Sequence, residues 1–129
     1  MHEYTRAIVA AAAFAVVTGK KVAGVYDHSA GRDRRIAAEA RDGRLQGIDG
    51  DRAVKFGGTL PELYDAGDKA FVSLETDGTK FRGYDRATSG FYAGEVSEGV
   101  VQVFDHSLGM WFAYDIQDAE AAQSYHRKA

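Results

Sequence analysis

The chain has 129 residues, 45% hydrophobic and 27% charged, with a formal net charge of −3. That is one domain's worth of sequence, too apolar for a disordered chain and too short for two cores. It has no cysteine, which excludes disulfides, thiol catalysis and zinc–thiolate sites, and its 16 basic and 19 acidic residues form no basic patch, so nucleic acid is not an expected partner.

The first element is a helix over residues 3–18. Alanine and straight-chain residues favour it, Glu3 sits near the positive end of its dipole, and Gly19 is a left-handed stop followed by Lys20 and Lys21. From Ile8 to Val17 the segment is apolar on every side, which predicts a buried helix, covered by a curled sheet or threaded inside a barrel. The same run resembles the apolar part of a signal peptide. The poorly basic lead-in and the lack of a small-x-small cleavage site before Lys20-Lys21 favour a domain helix. Ten apolar residues are too few to span a bilayer, so no membrane span is expected. A cytoplasmic location is the expectation, export the alternative if the segment is a signal.

From Lys20 to Ile116 the chain is organised by a recurring aromatic–Asp pair. It appears as Tyr26-Asp27, Tyr64-Asp65, Tyr84-Asp85, Phe104-Asp105 and Tyr114-Asp115, with Ile48-Asp49 a weaker copy. Four Tyr-Asp pairs stand where chance predicts fewer than one, and Tyr64, Tyr84 and Phe104 are 20 residues apart. The aromatic residue favours an extended chain and buries area, while the aspartate accepts backbone N–H groups in the turn that follows. At the opposite ends of these segments stand Asp42-Gly43, Asp77-Gly78 and Glu98-Gly99, and the first two are dipeptides of two-residue hairpins. Such turns cannot make parallel crossovers, which disfavours a β-solenoid. The expected fold is α+β and mainly β: a buried N-terminal helix and an antiparallel meander of about ten short strands, as a curled sheet, sandwich or barrel. The domain plan is a single unit over residues 1–129, with the helix in 1–19, about five hairpin units in 20–116 and a polar tail in 117–129.

Tyr26-Asp27-His28-Ser29-Ala30-Gly31-Arg32, followed by Asp42-Gly43-Arg44, resembles the YD repeats of Rhs and teneurin-type proteins. The later units match through the aromatic–Asp pair and the turn alone. The resemblance implies strand–turn–strand units; five copies are too few for the large shell those families build. The order of helix, Thr18-Gly19-Lys20-Lys21 and hairpin units is also similar to small uncharacterised bacterial proteins, and that transfers no activity.

Turn positions predict register. Around Asp77-Gly78, Leu74 is expected opposite Phe81 and Glu75 opposite Lys80. Around Glu98-Gly99, Val96 is expected opposite Val101; four-residue loops after Asp85 and Asp105 then set Phe81 against Gly94 and Val103 against Phe112. One face collects Val72, Leu74, Phe81, Val96, Val101, Val103, Phe112 and Tyr114 as core. The other carries a charged ladder of Glu75, Lys80 and Glu95, then Phe71, Tyr84, Phe91, Phe104 and Trp111, with His106 beside Phe91. These rings are either covered or form the candidate binding patch.

The triplets Asp27-His28-Ser29 and Asp105-His106-Ser107 invite a catalytic or metal reading, but consecutive turn residues do not point at one another as a triad requires. No catalytic residue, metal ligand or cofactor is nominated. The leading expectation is a non-enzymatic structural or protein-interaction module, its partner another protein or a second copy of the chain. The alternative is a domain binding a small ligand or glycan in a concave pocket lined by Tyr84, Phe91 and Trp111. An enzyme with an unrecognised site is third.

Overall fold

Glu3–Thr18 forms helix α1, and Gly19 ends it in the left-handed conformation, its N–H donating to the carbonyl of Ala15. Every side chain from Thr5 to Ala15 is buried. A helix apolar all round has no solvent face to offer, so the rest of the chain surrounds it.

The computed structural model describes residues 1–120. After α1 come twelve strands: β1 (Val22–Asp27), β2 (Arg32–Arg34), β3 (Ile36–Arg41), β4 (Arg44–Asp49), β5 (Val54–Thr59), β6 (Glu62–Asp65), β7 (Ala70–Ser73), β8 (Glu75–Asp77), β9 (Lys80–Asp85), β10 (Gly90–Ser97), β11 (Val100–Asp105) and β12 (Met110–Asp118). All pairings are antiparallel. Because β12 pairs with β1, and β9 with both β7 and β10, the sheet closes into a ten-stranded barrel, with β2 and β8 as short flaps on β1 and β9. Closure leaves the main ring without an open edge.

The helix is not central. It lies closest to β3 and β1, where the inward residues Ala38 and Ala40 are small, and the one-carbon side chains of Ala10, Ala11, Ala12 and Ala13 let the walls approach. The wider gap on the far side is filled by Phe56, Leu63, Val72, Phe81 and Tyr92. Three of these rings lie over inward glycines of the neighbouring strand: Phe56 over Gly47, Phe81 over Gly94 and Tyr92 over Gly83. A methyl group at Gly94 would fall within contact distance of the Phe81 ring and the Gln102 carbonyl, so glycine there makes room for the aromatic core.

The eight core residues expected from register are all buried. Val96 opposes Val101, Phe81 opposes Gly94 and Val103 opposes Phe112, as the turns predict. Around Asp77-Gly78 the expected register is wrong. The turn is Gly78-Thr79, so Phe81 opposes Thr76, and Glu75 opposes Arg82 while Lys80 pairs with Asp77 and Glu95. The slip is two residues, which preserves the period of two, and Leu74 and Phe81 still point inward. Tyr114-Asp115 is also misassigned by pattern. It lies in mid-strand with Tyr114 inward, so the fifth loop belongs to Ile48-Asp49. The polar tail expected from residue 117 begins later, since β12 continues to Asp118; residues 121–129 lie outside the described residues.

Candidate functional site: the loop rim and the outer wall

Five four-residue loops share one end of the barrel, each preceded by an inward, buried aspartate: Asp27, Asp49, Asp65, Asp85 and Asp105. In every loop the last residue has positive φ, at Gly31, Ala53, Lys69, Ser89 and Gly109, and the aspartate folds the loop back by accepting its N–H groups. Asp65 Oδ1 accepts from Gly67 at 2.8 Å, Asp105 Oδ1 from Ser107 at 3.0 Å, Asp85 Oδ1 from Ala87 and Asp27 Oδ1 from Ala30 at 3.1 Å, and Asp49 Oδ1 from Asp51 at 3.2 Å. This is the Asx-turn role the aromatic–Asp pattern predicts.

Five buried carboxylates in one ring require countercharge. Arg34 Nε meets Asp27 at 2.7 Å, Arg52 bridges Asp49 and Asp65 at 2.7 Å each, and Arg6 Nη1 meets Asp105 at 3.1 Å with the Met1 amino group at 3.4 Å. Asp85 accepts instead from the Thr88 hydroxyl at 2.7 Å. The N-terminus of α1 enters at this rim, so the positive end of its dipole faces the carboxylates. Burial pushes the Asp105 carboxyl up, but the neighbouring ammonium, the Leu108 N–H and Arg6 outweigh it and hold the group below the usual carboxylate range. Tyr4, half-buried under the Arg52 guanidinium, donates to Asp68 at 2.6 Å; burial first, then that bond and the Asp68 charge, push its phenol up to about 12. This machinery faces inward and holds the rim together.

The position before each rim aspartate points outward. There the structure brings the predicted patch together: Phe71 on β7, Tyr84 on β9, Phe91 on β10, Phe104 on β11 and Trp111 on β12, with His106 in the loop after Asp105. The rings form cross-strand pairs, Tyr84–Phe91 at 4.6 Å and Phe104–Trp111 at 5.2 Å between centroids, and His106 stands edge-on to Phe104 at 5.0 Å. Tyr64, which the register argument stopped short of, extends the row by pairing with Phe71 at 5.0 Å. Tyr26 of β1 lies off this row, opposite Asp115 and four residues along β12 from Trp111, with His28 edge-on to it at 5.0 Å. The row thus runs over six adjoining strands, from β6 through β7, β9, β10 and β11 to β12. Phe91 is 63% exposed, Trp111 59% and Phe71 42%, so no described element covers them.

On the remaining wall the row breaks. Ala37, Ile48 and Lys55 occupy the equivalent outward positions of β3, β4 and β5, and there the surface sinks into an open groove of about 1030 Å³ reaching Tyr64. None of Tyr84, Phe91 or Trp111 lines it. The concavity expected beside those rings therefore lies on another side of the barrel.

The Asp-His-Ser triplets take the turn role. Ser107 donates its backbone N–H to Asp105, and His28 Nε2 lies 3.0 Å from Asp115 on β12. Among the described residues no three His, Asp or Glu side chains converge as a metal site, and no helix is long and apolar enough to cross a membrane. Outward strand positions carry Glu39, Gln46, Arg82, Glu95 and Gln102, unlike the apolar outer band of a membrane barrel. Comparison of the chain with protein-family models, with curated proteins and with solved structures finds no match.

Proposed function

We propose that the protein is a non-enzymatic interaction module, built of YD-type hairpin units and contacting a protein partner through the aromatic row. The observation carrying this reading is the series of three cross-strand aromatic pairs on adjoining strands, with Phe91 and Trp111 more than half open. Rings of this size, locked against one another by cross-strand packing, supply contact area with little further loss of side-chain freedom, which is the property of interface hot spots. The barrel interior is occupied by α1, so contact with other molecules falls to the outer wall and the loops. A cysteine-free chain suits the reducing cytoplasm.

Trp111 is the one tryptophan and reports on this surface directly. Its emission is expected to be red-shifted and quenched by iodide. A protein partner retained on the immobilised chain should be lost with Trp111→Ala or Phe91→Ala at unchanged melting temperature. Retention by both variants would remove the row as the interface. Glycan binding lost with the same substitutions would replace the protein partner by a carbohydrate.

A further inference from the structure

The groove on β3–β6 has a chemistry of its own. Its floor is Ala37, Ile48 and Gly57, Tyr64 closes one side, and about 1030 Å³ lies at the upper end of the range for small-ligand sites. Gly57 has φ 150°, and a Cβ there would run into the Leu45 carbonyl, so the floor is held low at its centre. Ile48 is 49% exposed, an apolar side chain left open to an incoming surface.

The charges lining this concavity run against those of the whole chain. Lys21, Arg44 and Lys55 stand there against the single carboxylate of Glu39, on a protein of net charge −3. Lys21 is engaged with Glu39 at 3.7 Å and Glu120 at 3.9 Å. The exposed side chains of Arg44 and Lys55 have no ion pair or hydrogen bond among the described residues. Arg44 opens β4 and Lys55 opposes Ile48 near its end, so about 13 Å of strand separates the two cations; Gln46 and Gly57 lie between them, and the apolar Ala37 and Ile48 lie level with Lys55. Unpaired positive charge at both ends of a trough, with an open apolar patch at one of them, complements a molecule that has an apolar body and an acidic end.

We propose that this groove binds an elongated organic anion, its apolar body lying on Ala37, Ile48 and Tyr64 and its acidic group paired with Arg44 or Lys55. The site meets the aromatic row only at Tyr64 and does not include Phe91 or Trp111.

Titration of the full chain with anilinonaphthalene sulfonate, an apolar ring system bearing one sulfonate, tests the proposal. Saturable fluorescence enhancement is expected. Arg44→Glu, Lys55→Glu and Ile48→Asp should each weaken it about fivefold or more, high salt should weaken it further, and Trp111→Ala should leave it unchanged. All four positions are exposed, and melting temperature checks that each variant folds. Absence of saturable binding, indifference to both charge reversals, or loss with Trp111→Ala would overturn the proposal; the last would put the dye on the aromatic row.

Discussion

The hairpins β4–β5 and β11–β12 are built alike on the inside and differently on the outside. Each ends in a buried aspartate, Asp49 or Asp105, that folds a four-residue loop and meets an arginine. The outward pair just before the loop is Ile48–Lys55 in the first and Phe104–Trp111 in the second. The inward residues answer to the barrel and to α1, so they are constrained in both hairpins. The outward pair answers to solvent or to a ligand, and there the two diverge into groove and aromatic row. Function is therefore sought in what varies between the units, and stability in what they share.

The shared part should break hardest. Asp105→Ala is expected to cost about 3–5 kcal/mol in urea unfolding, because it strips the loop of its acceptor and leaves Arg6 buried without its carboxylate. Asp49→Ala should cost less, about 1–3 kcal/mol, since Arg52 keeps Asp65. Equal losses would mean that loop folding, and not buried charge, dominates at the rim.

Next in size is the inner wall. Gly94→Ala puts a methyl group against the Phe81 ring and the Gln102 carbonyl, and a loss of about 2–3 kcal/mol is expected, read as a lowered urea midpoint at unchanged slope. Overpacking at Ala11, fully buried in α1, should act in the same direction: Ala11→Leu is expected to cost about 1–3 kcal/mol.

Acid titration sharpens the rim comparison. The folded Asp105 carboxyl is held below its ordinary range, so its contribution is present above the unfolded value of about 4 and is lost as pH falls through the folded value. The urea midpoint of Asp105→Asn should therefore fall less steeply with pH below about 4 than that of the parent chain. A parallel decline would mean that Asp105 is not the source of the acid sensitivity.

The smallest effect belongs to the outer wall. Replacing Ile48–Lys55 by an aromatic pair, as Ile48→Tyr with Lys55→Phe, should change stability by about 0.5–1 kcal/mol at most and abolish dye binding in the groove. Trp111→Ala should be similarly mild in unfolding, because the ring is largely exposed. A loss above about 2 kcal/mol would make the aromatic row part of the stability core.

Much of this was legible from local rules. The bounds of α1 follow from alanine propensity and Gly19, the loop geometry from Asx chemistry, and the inward face from a period of two that survives the misplaced Gly78-Thr79 turn. The aromatic residues Phe71, Tyr84, Phe91, Phe104 and Trp111 were placed together by the same counting. Tyr64 was within reach of it too, one hairpin further back. What local rules misjudged was phase: Tyr114-Asp115 satisfies the pattern, but sits in mid-strand with its tyrosine inward. Which pairs belong to loops depends on where strands end, and pairing with neighbours decides that.

The sequence by itself determined that a helix apolar on every side must be enclosed, and that an antiparallel meander with aspartate-folded loops would enclose it. Both are consequences of side-chain chemistry acting over a few residues. Only the tertiary structure decided that the sheet closes, with β12 meeting β1, that α1 sits against the small residues of β3, and that Arg6, Arg34 and Arg52 reach the buried aspartates. Closure depends on the summed twist and stagger of ten strands around an object of fixed width, a quantity that no short segment of the chain carries. The groove has the same origin: Arg44, Lys55 and Tyr64 acquire a common surface only after three strands have paired.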